Sequence, residues 1–462
     1  MYLNLRKDSG LGLFQPSGPA LLHMGEGIPN TKWLCFVCCV HVRTCSCRYL
    51  TSKERKILFH TCIAVFKLVA TMSIKFVFPS ADWASPLKDA LGLAPRPIRV
   101  ISPCVGLNAP ERASRELGMP WKSTGDYETN GSLYPALQAF SEAPEHLHVG
   151  PCSGNVCSIR LEDLDKSTDA IVSGPPCPPF SSMGKRLCEL DIRACVFNAV
   201  CAWVIFLATF GQLKFFVLEN VEGIVRKRKH AEESFADWFI SAMMLELPKG
   251  WRIQIHHGNS IDCALPQSRP RVFFVGTCAC MRATAFQRRV LDRPLMKFPR
   301  PDIILFLDHS SSDSDFESLS VRQQVNVLEQ MDNLMVQIAA RSSDAAPVTV
   351  AIADIARDPT CGKVDGGLCF GRTNTLRTNN HYLWILPSPE WQSVFGARGR
   401  FLSIAEKCRI AGIVPESVSR MHPADVEIAL GNTIPVSLIG VVLFPILRAW
   451  IHAVRASEED EQ

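Results

Sequence analysis

The hydrophobic pattern changes character at Ile98 and again after Gly276. Between those points, short runs rich in β-branched and aromatic residues alternate with stretches of helical period. The runs are Ile98–Ser102, Lys122–Tyr127, His146–Val149, Asp169–Ser173, Phe215–Leu218, Trp251–His256 and Arg271–Gly276. Helical patterns fall at Pro110–Leu117, Asp191–Phe210 and Glu232–Leu247. Strands alternating with helices predict an α/β fold with a doubly wound, mostly parallel sheet. Such sheets hold ligands at the carboxyl ends of their strands. After Gly276 the alternation stops. Cys278–Phe395 reads as a smaller, irregular domain, with the acidic, serine-rich stretch Asp308–Ser320 as an exposed loop. Arg400–Gly412 is predicted helical, and Gly431–Trp450 is predicted to be a closing apolar helix. The expected organisation is therefore an unpatterned, Cys-rich extension at 1–95, a main domain at 96–277, an insertion at 278–395, a return to the main domain at 396–450, and an acidic, solvated tail at 451–462.

Composition sharpens this picture. A chain of 462 residues suggests two or three domains. A hydrophobic fraction of 47% with 20% charged residues permits a large core and excludes wholesale disorder. The 19 cysteines are odd in number and spread along a long chain, which points to a reducing, intracellular compartment rather than a disulfide scaffold. Met1–Gly18 lacks the apolar core and cleavage site of a signal peptide. Ala194–Phe210 is apolar except for Asn198 and Thr209 and reads as a buried helix, whereas Ile57–Phe78 is apolar but carries His60, Lys67 and Lys75 and stays open between a buried and a spanning stretch. Cys35, Cys38, Cys39, His41, Cys45 and Cys47 cluster near the start. They are either zinc ligands or unpaired thiols; their spacing departs from the usual zinc patterns, so no metal is expected. A net charge of +4 neither requires nor forbids a nucleic-acid partner, because a local basic face can hide in a balanced total.

Three segments carry candidate chemistry. Gly174-Pro175-Pro176-Cys177-Pro178-Pro179-Phe180-Ser181-Ser182 follows an apolar strand, which puts Cys177 on a strand-end loop. Prolines restrict that loop, and a held thiolate is a nucleophile. Taken alone, a cysteine in a proline-rich turn is more often structural. Glu219, in Glu219-Asn220-Val221, ends the buried run Phe215–Leu218, where partial desolvation suits a carboxyl to acid chemistry. In Pro266-Gln267-Ser268-Arg269-Pro270-Arg271, alternation places Gln267, Arg269 and Arg271 on one side of an extended chain. Two guanidinium groups on one face suit a carboxylate, a phosphate or a polarised carbonyl. Each segment alone could be a solvated strand end; the three in this order, each at a strand end, point to one site.

The order PPCPPFS, ENV, QSRPR resembles the DNA (cytosine-5) methyltransferases. Further segments fit the same pattern: Ile101–Asn108 resembles the family's first cofactor loop, Asp126-Tyr127-Glu128 its acidic ribose-binding pair with an aromatic neighbour, and Gly154-Asn155-Val156 its adenine-binding position. Asp191-Ile192-Arg193 follows the nucleophile loop as in the family. Arg400–Gly412 and Gly431–Val436 resemble its last two motifs. Pro178 stands where glutamine is usual and Asn155 where aspartate is; an asparagine can still accept one hydrogen bond. The resemblance implies a class I S-adenosylmethionine-dependent methyltransferase fold with an inserted target-recognition domain. It implies Cys177, Glu219, Arg269 and Arg271 as catalytic residues. It implies S-adenosyl-L-methionine as cofactor, held by Ser102, Cys104, Gly106, Asp126, Tyr127, Glu128, Asn155, Pro176 and Asn432. The implied partner is double-stranded DNA, with the target cytosine flipped out and attacked at C6 by Cys177, and the implied location is the nucleus in a eukaryote and the cytoplasm otherwise. The tRNA-methylating branch of the family and a catalytically silent DNA-binding homologue remain the alternatives. Arg226–His230 is a candidate phosphate contact, nuclear-localisation signal or solvated loop, and Thr373–Asn380 a candidate base-edge reader or plain hydrophilic loop.

Overall fold

The computed structural model describes residues 83–460 except 142–143, 178, 181–190, 192, 228–231, 310–313, 341–347, 357–367 and 379–381. The early cysteine cluster, Ile57–Phe78, Arg228–His230 and Asn379–Asn380 therefore lie outside the described residues.

Seven strands form one sheet: β1 (Ile98–Pro103), β2 (Trp121–Glu128), β3 (Leu147–Val149), β4 (Ala170–Ser173), β5 (Phe215–Asn220), β6 (Arg252–Asn259) and β7 (Pro270–Thr277). Their spatial order is β3-β2-β1-β4-β5-β7-β6. The first five pair in parallel; β7 runs antiparallel between β5 and β6. This is a Rossmann-like α/β arrangement. Alternation along the strands builds two cores. Val100, Val172, Val217 and Phe273 face one side, where helices α1 (Ser85–Leu91) and α2 (Ala109–Glu116) pack; Ile101, Ile171, Phe216 and Phe274 face the other, under helices α4 (Ala194–Phe210) and α5 (Phe235–Glu246). A third helix, α3 (Tyr134–Phe140), lies between β2 and β3 in the chain. Each fully buried large side chain contributes about 1.5–3 kcal/mol.

The predicted closing helix is two helices. α9 (Pro423–Asn432) stops before Pro435, whose ring and missing N–H suit the start of a new helix, and α10 (Val436–Asp460) follows. α10 continues to Asp460, so the predicted tail is helical that far; Ala456–Glu459 is exposed, but Ile451 and Val454 are buried in the main core, against the expectation of a solvated tail from 451. Pro423–Glu459 is long and apolar enough to cross a membrane, yet 89% of its most apolar window is buried inside the protein, as expected of a core helix.

The smaller sheet comprises β8 (Val350–Asp354), β9 (Cys369–Phe370), β10 (Leu383–Pro387) and β11 (Arg400–Phe401), in the order β9-β8-β10-β11 and antiparallel throughout. Helix α7 (Val321–Ala339) covers it through Val327 and Leu334, over Trp384 and Leu386. Two expectations shift here. Ala279–Leu291, which the sequence assigned to the insertion, holds helix α6 (Ala285–Leu291), and Gln287 Nε2 donates to the Ala449 carbonyl of α10 at 3.2 Å. This segment packs with the main domain because its apolar residues Met281 and Leu291 join the large core. Asp308–Ser320 is also more than an exposed loop: Ser314–Glu317 is helical, and Phe316 and Leu319 are buried in the smaller core.

The last helical motif works as a joint. Ser403 and Glu406 form a reciprocal cap at the start of α8 (Ile404–Ala411). The buried Glu406 carboxylate also takes the Arg400 guanidinium at 2.6 Å, while Arg400 and Arg409 donate to the carbonyls of Asp308 and Phe306. This network ties the entry into the smaller sheet to its exit.

Candidate active site

Cys177, Glu219 and Arg271 meet at the carboxyl edge of the sheet. β5 and β7 pair with Glu219 opposite Phe273, so Glu219 and Arg271 are diagonal neighbours on one face. Glu219 Oε1 and Arg271 Nε lie 2.6 Å apart, and both side chains are 9% exposed. The Cys177 loop is fixed from both sides. Asn220 Nδ2 reaches the Pro175 carbonyl at 3.4 Å, Ser173 Oγ donates to the Pro103 carbonyl at 2.6 Å, and the Phe180 ring is buried 4.6 Å from that of Phe235. Gly174 starts the loop close to the carboxylate: a Cβ there would stand 3.2 Å from Glu219 Oε2 and press on it. Burial pushes the Cys177 thiol up, the Glu219 charge adds to that, and Arg271 and Arg269 pull it back down. Its reactivity is therefore set by the charges placed around it.

Arg269 is arranged differently from Arg271. It is 2% exposed. Its two terminal nitrogens donate to the carbonyls of Leu376 at 2.8 Å and Gly431 at 2.9 Å. Burial, and then Arg271, bring its pKa down to about 9. Those bonds make Arg269 a brace between the sheet, the returning segment near Leu376 and the end of α9. The segment itself is held close: Thr373–Asn374 pairs in parallel with Gln267–Ser268, and Thr373 is fully buried. Thr373 and Leu376 thus face the protein rather than a base edge. Gly431 permits the contact, because a Cβ there would meet the Thr378 nitrogen. Gln267 is buried with neither amide atom partnered among the described residues.

Beside the Cys177 loop lies a cleft of about 350 Å³, part of it open to solvent. Four of the expected cofactor residues line it: Ser102, Cys104, Gly106 and Asn432. Cys104 and Asn108 both adopt left-handed backbone conformations, φ 58° and 54°; a β-carbon there costs roughly 1–2 kcal/mol. Burial pushes the Cys104 thiol up. Glu128 braces the loop: its carboxylate accepts the amides of Gly106 at 3.0 Å and Asn130 at 2.9 Å. Asp126 is buried, and its pKa is pushed up to about 7, mainly by burial and then by Glu111. Asn155 accepts the Cys157 amide at 3.1 Å, and Pro176 directly precedes Cys177. Tyr127 is a correction. Strand alternation turns it away from Glu128 into the opposite core, where its ring stacks on His148 at 4.6 Å and meets Trp203 edge-on at 5.0 Å. The sequence reading missed Ser173, Gly174, Thr433 and Ile434 as cleft walls, although each adjoins a segment already singled out. The Ser102 and Ser123 hydroxyls act on the buried Asp126 carboxyl and hold its pKa back against burial. Polar groups beside a glycine-lined cleft suit a polar ligand such as S-adenosylmethionine. No cluster of three metal-ligating side chains occurs among the described residues.

Residues 151–303 match the family described as C-5 cytosine-specific DNA methylase. The chain is 35% identical over 136 residues to "Type II methyltransferase M.DdeI" of Desulfomicrobium norvegicum, covering 28% of this chain and 30% of that protein. It is 29% identical over 182 residues to "Orphan methyltransferase M.SPRI" of Bacillus phage SPR, covering 39% of this chain and 37% of that one. The chain thus spans about a third of the length of these curated relatives. A solved structure of the Entamoeba histolytica methyltransferase EhMeth superposes with a TM-score of 0.47 at 16% identity, over 76% of this chain and 98% of that one. Residues 151–303, the stretch that matches this family, contain Cys177, Glu219 and Arg271.

Proposed function

We propose that this protein methylates C5 of a flipped-out cytosine in duplex DNA, with S-adenosyl-L-methionine as methyl donor and a covalent Cys177 adduct as intermediate. The observation that carries the reading is the buried Glu219–Arg271 pair, 2.6 Å apart, at the strand edge that holds Cys177. Stacked cytosine hides its ring atoms, so the base must leave the helix to reach this edge. The Cys177 sulfur adds to C6, and the C5–C6 electron pair moves onto the ring. Glu219 hydrogen-bonds N3 and the exocyclic amino group and stabilises that charge, while Arg271 holds the Glu219 carboxyl in place. Ser102, Cys104, Gly106 and Asn432 are the residues that would hold the cofactor, and Glu128 fixes the loop that carries Gly106. When bound, the cofactor supplies an activated methyl group. Loss of the C5 proton then expels the Cys177 thiolate and restores the aromatic ring, so one difficult step is divided into easier ones. With a DNA substrate goes a nuclear location in a eukaryote and a cytoplasmic one otherwise.

The test is a trap. With cofactor present, duplex DNA carrying 5-fluorocytosine forms a denaturation-resistant complex with the protein, because fluorine cannot leave as the proton does. Cys177→Ser forms none. A complex on fluorinated tRNA but not on DNA would move the substrate class to RNA, and a complex formed by Cys177→Ser would remove the covalent mechanism.

A further inference from the structure

A second pair of sulfurs lies outside the site that the proposed reaction uses. Cys157 Sγ and Cys195 Sγ are 3.5 Å apart, and both residues are exposed. They come from different elements. Cys157 sits in the single turn Val156–Ser158, directly after Asn155, whose side chain accepts the Cys157 amide. Cys195 is the second residue of α4, the helix that begins after the Cys177 loop. Both supports are anchored, since neighbouring Val156 and Phe197 are buried in the same core. The sulfurs are therefore held together by the fold rather than by chance contact of loose chains. A disulfide needs a sulfur separation of about 2.05 Å, so they must close by roughly 1.5 Å, within the reach of side-chain rotation.

We propose that Cys157 and Cys195 form a thiol–disulfide modification site, oxidised by a low-molecular-weight disulfide such as oxidised glutathione. The chemistry balances within that pair of reactants. The Cys195 thiolate attacks one sulfur of the oxidant, forms a mixed disulfide and releases one reduced glutathione. The Cys157 sulfur then attacks Cys195 Sγ, the protein disulfide forms, and a second reduced glutathione leaves. The two thiol protons end on the two glutathiones, and the oxidant takes up both electrons. The order follows from the hydrogen bond. Cys157 donates its S–H to the Cys195 sulfur, so Cys195 accepts the proton of the pair and is written as the first attacker. The bridge ties the Asn155 turn to the start of α4, on either side of the Cys177 loop in the chain.

The full-length protein is equilibrated in glutathione buffers of increasing oxidised fraction, alkylated under acid quench, digested and mapped by mass. The expected product is a Cys157–Cys195 linked peptide pair, lighter by two hydrogens than its separate halves, that grows with oxidation and disappears on reduction. It is absent from Cys157→Ser and Cys195→Ser and retained in Cys152→Ser, whose cysteine is also exposed. Separate glutathione adducts on Cys157 and Cys195 without a link, a link to Cys152 in its place, or a link confined to Cys278 and Cys280 would each overturn the proposal. The readout is a mass and does not depend on methyl transfer, so its failure leaves the Cys177 mechanism standing, and the reverse also holds.

Discussion

Arg269 and Arg271 are two residues apart, yet the structure gives them different work, and Arg269→Met separates the two. Methionine keeps much of the volume, so cavity effects are small. The substitution removes donors at 2.8 Å and 2.9 Å from the Leu376 and Gly431 carbonyls. Hydrogen bonds from a charged group contribute about 1.5–3 kcal/mol each, a gross loss of about 3–6 kcal/mol. Part is returned because the folded protein no longer has to strip water from a fully buried guanidinium. A net loss of about 2–4 kcal/mol remains, and at about 2–4 °C per kcal/mol this lowers Tm by about 4–16 °C. Arg269→Lys falls in the same direction, because one ammonium cannot span both carbonyls. Differential scanning calorimetry reads the shift, and methyl incorporation into duplex DNA is measured well below the lower Tm. Arg271→Met is expected to lose methyl transfer by far more than Arg269→Met does. An unchanged Tm for Arg269→Met, with activity as low as that of Arg271→Met, would refute the brace and return Arg269 to the reaction.

Asp126 has its folded pKa raised to about 7, above its ordinary value of 3.8. From about pH 4 to pH 7 the folded state therefore holds a proton that the unfolded state has lost, and stability falls as pH rises. Asp126→Asn is expected to raise the urea midpoint at pH 8 and to change it little at pH 4; equal gains at both would exclude the buried carboxyl as the cause. Glu219→Gln removes a charge that raises the Cys177 thiol, so the pH midpoint of Cys177 alkylation by iodoacetamide moves down, whereas Arg271→Met moves it up. Coincident alkylation curves for all three proteins would contradict that electrostatic arrangement. Gly431→Ala forces a Cβ against the Thr378 backbone and should cost about 1–3 kcal/mol in denaturant titration; wild-type stability would show that the two segments part freely.

Much of the active edge was legible because strand-end chemistry is local. The apolar run Phe215–Leu218 announces a buried strand, and the residue after it must emerge at one edge of the sheet, which locates Glu219. The Pro-rich loop after Ala170–Ser173 does the same for Cys177. Arg269 and Arg271 are close in sequence, but the partners of Arg269 lie 107 and 162 positions away in the chain, beyond any local pattern. Tyr127 was misjudged by treating three successive residues as one patch, when a strand must send the middle one to the opposite side. The sheet of the smaller unit was invisible for a related reason: two of its four strands are two residues long and are defined by their neighbours rather than by a period. The division between α9 and α10 was legible in Pro435 and was overridden by the apolar run on both sides of it.

The parallel pairing of Thr373–Asn374 with Gln267–Ser268 bears on how this protein can be recombined. The chain leaves the main sheet, builds two of the four strands of a second one, comes back to clasp the segment that leads into β7, and only then completes the second sheet. A graft of the inserted unit between relatives would thus carry away one half of a backbone clasp and leave the arginine beneath it gripping empty space. Exchange of the insert by cassette would succeed only if the clasp and its arginine travel with it.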